Sequence, residues 1–151
     1  MWKLITTTLT AMIFSSAALA ADGMVVTQSA HPVAATADRL VAALESKGMT
    51  VFARIDHAAG AAKVDAVLAP TELVIFGNPK VGTPLMQCAR STAIDLPQKM
   101  LIWEDDDGSV WLAYNDPAYL GARHQIAENC GAVLAKVTAA LGNFANAATT
   151  P

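Results

Sequence analysis

The spacing of apolar residues in the first half of this chain predicts a helix between strands. Residues 32–47 carry apolar side chains at the spacing of one face of an amphipathic helix. Met49–Ile55 alternates between apolar and polar residues, as a strand with one buried face does. Thr71–Phe76 is apolar at consecutive positions, so we expect a strand that is covered on both faces. A β-branched run at Gly23–Ser29 predicts the first strand.

The second half of the chain predicts a hairpin. Lys99–Glu104 and Ser109–Tyr114 are strand-like runs on either side of an acidic turn. A three-residue loop puts Gly108 in the left-handed bulge position. Trp103 then lies opposite Trp111, and a cross-strand aromatic pair stabilises a hairpin by up to about 1 kcal/mol.

Caps and turn residues predict the remaining helices and complete the fold class. Short helices are expected at Asp56–Ala62 and Gly82–Ala89, another begins at Asp116, and the last covers Glu128–Asn143. This order of elements favours a two-layer α+β domain. One curved, mainly antiparallel sheet carries two longer helices on one face.

The N-terminus has the pattern of a secretory signal peptide. Lys3 and an apolar stretch precede the small-residue cleavage pattern Ala18-Leu19-Ala20, which assigns residues 1–20 to the signal. We therefore expect an exported protein, periplasmic or secreted. Residues 21–145 form a single domain, and the small, polar residues 146–151 predict a frayed tail.

The charge balance excludes a general nucleic-acid-binding role. The whole chain has 10 Lys and Arg residues against 13 Asp and Glu residues. Removal of the signal also removes Lys3, which leaves 9 against 13 and a net charge of −4. Binding to nucleic acid needs a positive field at the phosphates. No second long apolar run follows the signal, so we expect no membrane span in the mature chain.

The two cysteines, Cys88 and Cys130, leave three interpretations open. An exported chain allows them to form a disulfide, although their spacing does not establish the bond. They can also be two buried thiols, because helical spacing from Leu85 directs Cys88 inward. The third interpretation is a reactive or metal-binding Cys88.

Four residues are candidates for binding a small molecule: His57, Asn78, Lys80 and His124. Histidine can serve as base, metal ligand or hydrogen-bond donor near neutral pH. Asn78 and Lys80 lie in a glycine-rich corner before a helix, which can present N–H groups to an anion. The alternatives are structural: a loop contact for His57, a tight corner at Asn78, and a favourable helix C-terminal position for His124.

A metal site is a further alternative. His57, Cys88 and His124 would form the ligand set of a copper or zinc centre if the fold brought them together. The sequence has no ligand spacing of a known metal motif, so no metal and no cofactor is assigned.

Three functions therefore remain. The leading one is an exported domain that binds a small ligand between the sheet and the helices without catalysis. The second is a metal or redox protein that uses Cys88 with His57 and His124. The third is a homo-oligomeric interaction module with an exposed sheet edge or apolar patch as its interface. No hydrolase motif appears. An enzyme stays an open alternative, because active sites often come from residues distant in sequence, but the sequence names no substrate.

Three segments resemble the family called domain of unknown function 302. They read LVAALESKGMTVFARIDHAAGA, PTELVIFGNPKVGTPLMQ and DLPQKMLIWEDDDGSVWLAYNDPAYLGARH, and together they span most of residues 24–125. The resemblance implies a compact α+β domain similar to the TATA-binding-protein architecture in shape only. It implies no activity, and Cys88 is not expected to define the family.

Overall fold

The structure is a computed structural model that describes residues 23–151, so the predicted signal peptide lies outside the described residues. The strands are β1 (Met24–Ser29), β2 (Thr50–Asp56), β3 (Thr71–Gly77), β4 (Gln98–Glu104) and β5 (Val110–Asn115). The α-helices are α1 (Val33–Ser46), α2 (His57–Ala62), α3 (Pro79–Cys88), α4 (Pro117–Arg123) and α5 (Ala127–Thr149). A 3-10 helix covers Arg90–Ile94.

The five strands form one sheet in the order β1-β5-β4-β3-β2. Every neighbouring pair is antiparallel. Helices α1 and α5 pack against each other and against this sheet, which confirms the α+β prediction. The core lies between the two layers and includes Leu40, Leu44, Val74, Phe76, Met100, Ile102 and Leu112, all fully buried.

The hairpin has the register that the sequence predicts. Trp103 lies opposite Trp111 in the pairing of β4 with β5. Gly108 has a φ of 80°, the left-handed conformation that this loop requires. The indole N–H of Trp103 donates to the Asp105 carboxylate at 2.7 Å, so an acidic side chain helps to order the tip.

Strand β3 departs from the prediction that both its faces are covered. Val74 and Phe76 are fully buried towards the helices, whereas Leu73 and Ile75 are only half-buried. Leu73 pairs with Ile55 of β2 and with Leu101 of β4, on the face away from the core. The consecutive apolar residues reflect a central position in the sheet, where neighbouring strands shield the open face from both sides.

The C-terminal segment corrects the prediction of a frayed tail after residue 145. Helix α5 continues to Thr149, and Ala148 is fully buried. The guanidinium of Arg39 in α1 donates to the carbonyls of Ala147 at 3.1 Å and Ala148 at 3.2 Å. The backbone N–H of Ala30 donates to the Thr149 carbonyl at 2.9 Å. These tertiary contacts satisfy the last helical carbonyls, which the composition of the tail does not indicate.

Candidate functional site

An apolar cavity of about 280 Å³ lies between α3 and the neighbouring ends of β2, β3 and β4. Met49 and Phe52 form one side, and Leu85 and Met86 of α3 form another. The remaining lining residues are Gly77, Asn78, Pro79, Val81, Gly82, Thr83, Ala93, Leu96, Pro97 and Gln98. No charged residue is among them, and methionines adapt readily to ligands of different shape.

Gln98 provides a buried polar group in the cavity wall. It begins β4, and its side chain is only 9% exposed because it faces the core with Met100 and Ile102. Its Nε2 amide group has no hydrogen-bond partner among residues 23–151. Most buried polar atoms in folded proteins are paired, so a buried, unpaired donor on a residue that lines an apolar cavity calls for an explanation.

Asn78 lies beside the cavity and positions α3. Its backbone is extended, as the following proline favours, and its side-chain oxygen accepts from the Lys80 N–H at 2.9 Å. Its amide nitrogen donates to the Gly48 carbonyl at 3.0 Å. The helix consequently begins at Pro79 rather than at Gly82, the start that the sequence predicts. Lys80 is exposed and does not line the cavity.

His124, by contrast, belongs to a separate polar cluster. Its Nε2 lies 2.6 Å from Asp95 Oδ2, and its Nδ1 lies 3.0 Å from Ser91 Oγ. Arg123 donates to the other oxygen of Asp95 at 3.0 Å. The side chain of His124 is 5% exposed and that of Asp95 is 11% exposed. The cluster joins the end of α4 to the segment around the 3-10 helix.

The predicted metal set of His57, Cys88 and His124 is not assembled. Cys88 and Cys130 form a disulfide between α3 and α5, with their Cα atoms 6.5 Å apart. The sulfur of Cys88 is therefore no thiolate ligand. Cys88 itself is exposed, while its sulfur bonds to the buried Cys130. His57 lies exposed at the start of α2. Across residues 23–151, no three His, Cys, Asp or Glu side chains are grouped to hold a metal ion.

The shifted pKa values belong to groups outside the cavity. Hydrogen bonds to Glu72 and Asp38 raise the pKa of the Arg54 guanidinium. Burial raises the pKa of Tyr114. The Ser109 backbone N–H lowers the pKa of Asp107, which is the second acceptor that orders the hairpin tip. The polar side chains that line the cavity, those of Asn78, Thr83 and Gln98, are all neutral.

The sequence interpretation missed Gln98, Ser91 and Asp95. Gln98 carried a signal, because it lies in phase with Met100 and Ile102 on the inward face of β4. A polar residue in an inward phase is a candidate buried donor. Ser91 and Asp95 had no such signal in the sequence. His124 is 33 residues from Ser91 and 29 from Asp95, so their contact depends on tertiary folding.

Comparison with known proteins identifies the family of the domain. The family model described as domain of unknown function DUF302 matches residues 25–144, most of the chain. The crystal structure of an uncharacterized conserved DUF302 protein from Bacillus stearothermophilus has a TM-score of 0.76 at 14% sequence identity. That similarity covers 85% of this chain and 99% of the other, and it shows the shared fold.

Two longer relatives are named as fluoride channels. The chain is 51% identical over 105 residues to "Fluoride-specific ion channel FluC 1" of Brucella suis biovar 1, covering 70% of this chain and 41% of that protein. The FluC 1 protein of Brucella abortus biovar 1 matches at 51% identity, with 39% of its length covered. The chain thus spans about two fifths of the length of these relatives. Within residues 23–151, no helix is both long and apolar enough to cross a membrane.

Proposed function

Because this chain belongs to the DUF302 family, a family named for its unknown function, we propose a function from its own residues: it binds a small, neutral, mainly apolar molecule that carries a hydrogen-bond acceptor. The observation that carries the proposal is Gln98, which lines the apolar cavity and whose buried Nε2 has no hydrogen-bond partner among residues 23–151. A buried donor left unpaired costs roughly 1–3 kcal/mol of folding free energy. Because Nε2 is buried, the amide must first turn towards the cavity. An acceptor on a ligand then offsets the cost of the unpaired donor.

The lining residues define the chemistry of the ligand. No lysine, arginine or histidine lines the cavity, so a carboxylate would lose its hydration without gaining a counter-charge. A ketone, amide or ester carbonyl accepts from Gln98 without that cost. The cavity volume of about 280 Å³ lies at the lower end of ligand pockets, which favours a compact molecule.

The test compares a ketone with its hydrocarbon analogue. Acetophenone and ethylbenzene have similar apolar bodies, but only the ketone can accept from the Gln98 amide. We expect acetophenone to shift the Gln98 side-chain N–H signals in two-dimensional NMR and to bind roughly tenfold more tightly than ethylbenzene. Gln98→Leu removes that preference, whereas the exposed Gln28→Leu preserves it. Equal affinities in the wild type, or no shift at millimolar ketone, would refute the proposal.

The proposed function belongs to an exported protein. The signal-like residues 1–20 support export, and the Cys88–Cys130 disulfide is typical of an oxidising compartment. Expression of the full chain with fractionation and N-terminal sequencing tests this. Recovery outside the cytoplasm with Ala21 as the first residue is the expected result. A full-length cytoplasmic product would contradict it.

A second candidate function follows from the names of the longer relatives. We propose that the domain acts as an accessory of a fluoride-transporting membrane protein, since proteins named for that transport contain a stretch similar to this domain. The part outside the match makes up most of each relative. Deletion of this chain should then lower growth at millimolar fluoride but not at equal chloride, and the full chain should restore growth. Unchanged fluoride tolerance would eliminate this candidate.

Self-association stays a prediction of the sequence. Its most suitable surface is the open face of the sheet, where Leu73, Leu101 and Trp103 are half-buried and no described helix of the core layer covers them. Light scattering on the exported protein measures the oligomeric state. A monomer at micromolar concentration would contradict the prediction.

A further inference from the structure

We propose that Ser91 is a nucleophile, activated by His124 and oriented through Asp95, that accepts acyl groups from small esters. The three side chains form a continuous hydrogen-bonded series, with 3.0 Å from Ser91 to His124 and 2.6 Å from His124 to Asp95. A nucleophile, a base within hydrogen-bond distance and a third group that orients the base are the parts that acyl transfer needs. This activity goes beyond ligand binding in the cavity, because Ser91 does not line the cavity.

The acceptors in the cluster define the tautomer of His124. The ionised Asp95 carboxylate can only accept, and it does so from Arg123 at one oxygen and from His124 Nε2 at the other. In the neutral ring the proton therefore resides on Nε2. The lone pair of Nδ1 then faces Ser91 Oγ, and the hydroxyl donates to it. The two nitrogens have exchanged the roles that they have in the serine-protease triad, but either nitrogen of imidazole can take a proton.

In this cluster the base and the residue that orients it are largely shielded from solvent, whereas the nucleophile is exposed, as attack on a substrate from solvent requires. His124 and Asp95 are shielded, with side-chain exposures of 5% and 11%. Ser91 is exposed, so an ester can reach its oxygen from solvent. The ion pair of Asp95 with Arg123 holds the carboxylate in place. The disulfide at Cys88, three residues before Ser91, attaches the start of this segment to α5.

The reaction balances with water as the co-reactant. Ser91 Oγ attacks the ester carbonyl carbon while its proton passes to His124 Nδ1. The bond to the alkoxy group breaks, and the leaving alkoxide takes that proton to give an alcohol. Water, losing a proton to Nδ1, then attacks the acylated serine. Release of the carboxylic acid returns the proton to Ser91 and regenerates the site.

The experiment uses the oxidised full chain and a fluorophosphonate probe, which forms a covalent adduct with activated serines. We expect one adduct per chain by intact mass, located on Ser91 by peptide mapping. Ser91→Ala abolishes it, and Ser46→Ala, at an exposed serine outside the cluster, leaves it unchanged. His124→Gln slows labelling by at least roughly a hundredfold, because a general base contributes that much or more. Hydrolysis of p-nitrophenyl acetate should show the same dependence.

A purely structural role for the cluster gives a different set of results. The same bonds would then stabilise the junction of α4 with the 3-10 helix, and variants would change only the unfolding free energy. If His124→Gln does not fold, the comparison of wild type with Ser91→Ala still tests the proposal, because Ser91 is exposed and its replacement leaves the His124–Asp95 contact in place. Equal labelling of wild type and Ser91→Ala would overturn the proposal. Neither outcome affects the ketone test at Gln98, which uses a separate site.

Discussion

Reduction of the Cys88–Cys130 disulfide should remove a large part of the stability of this domain. The bond closes a loop with a sequence separation of 42 residues. Loop-closure entropy for that length gives a stabilisation of about 4 kcal/mol at 25 °C. Domains have a total unfolding free energy of roughly 5–15 kcal/mol, so the reduced protein should keep only a small unfolding free energy.

Reduction of the disulfide measures the effect of the cross-link alone, because it leaves the packing of the core nearly unchanged. Cys130 is 4% exposed, and a reduced thiol fills nearly the same buried space as the oxidised sulfur. Cys88 is exposed, so Cys88→Ser breaks the bond without burying a hydroxyl group. We expect the reduced wild type and Cys88→Ser to unfold alike. Both should differ from the oxidised wild type by about 4 kcal/mol.

Urea unfolding followed by tryptophan fluorescence measures this difference. With a slope of about 2 kcal/mol per molar urea, the midpoint should fall by about 2 M on reduction. Reductant should leave the midpoint of Cys88→Ser unchanged, which controls for effects of the reagent itself. Midpoints of the oxidised and reduced wild type within about 0.3 M would refute the loop-closure reasoning. The cross-link would then contribute little beyond its local contacts.

Three further predictions concern packing and charge. A Cβ at Gly121 would lie 2.8 Å from Leu134 Cδ1, so Gly121→Ala should lower the unfolding free energy by about 1–2 kcal/mol, as measured in urea. Burial raises the pKa of Tyr114 above its ordinary value of 10.0. Tyr114 therefore ionises in the unfolded chain at a lower pH than in the folded one, so the unfolding free energy should fall as the pH rises above 10.0 and should not change from this cause below that pH. Arg54→Met should cost about 1–2 kcal/mol at low salt, because it leaves two carboxylates without their guanidinium partner.

Each of these predictions has a matched control. Gly131→Ala, where the added methyl group meets open space, should be neutral or stabilising by up to about 1 kcal/mol. Tyr114→Phe should abolish the loss of stability above pH 10, and its persistence would show that another group titrates. For Arg54→Met, the difference from the wild type should shrink in 1 M salt through screening. A difference independent of salt would indicate lost packing rather than lost charge.

Local sequence rules predicted the fold because each element depends on its own residues. The hairpin register followed from the loop length and Gly108, and the cap of α2 followed from Asp56, whose carboxylate accepts from Ala59 N–H at 2.8 Å. Helical spacing identified the amphipathic helix α1 in the same way. These signals work over a few residues, where backbone geometry alone decides which side chains share a face.

The candidate sites depend on contacts that no local pattern contains. The cluster of Ser91, Asp95 and His124 forms because the end of α4 meets the segment after α3. The cavity forms because residues of α3 lie beside the ends of three strands. The C-terminal turn of α5 is likewise stable because Arg39, more than a hundred residues earlier, caps its carbonyls. The sequence by itself determined the elements and the hairpin register, since those follow from short-range sterics and turn geometry. Only the tertiary structure decided which distant polar groups meet, because side-chain chemistry acts over a few ångströms while the chain between them spans dozens of residues.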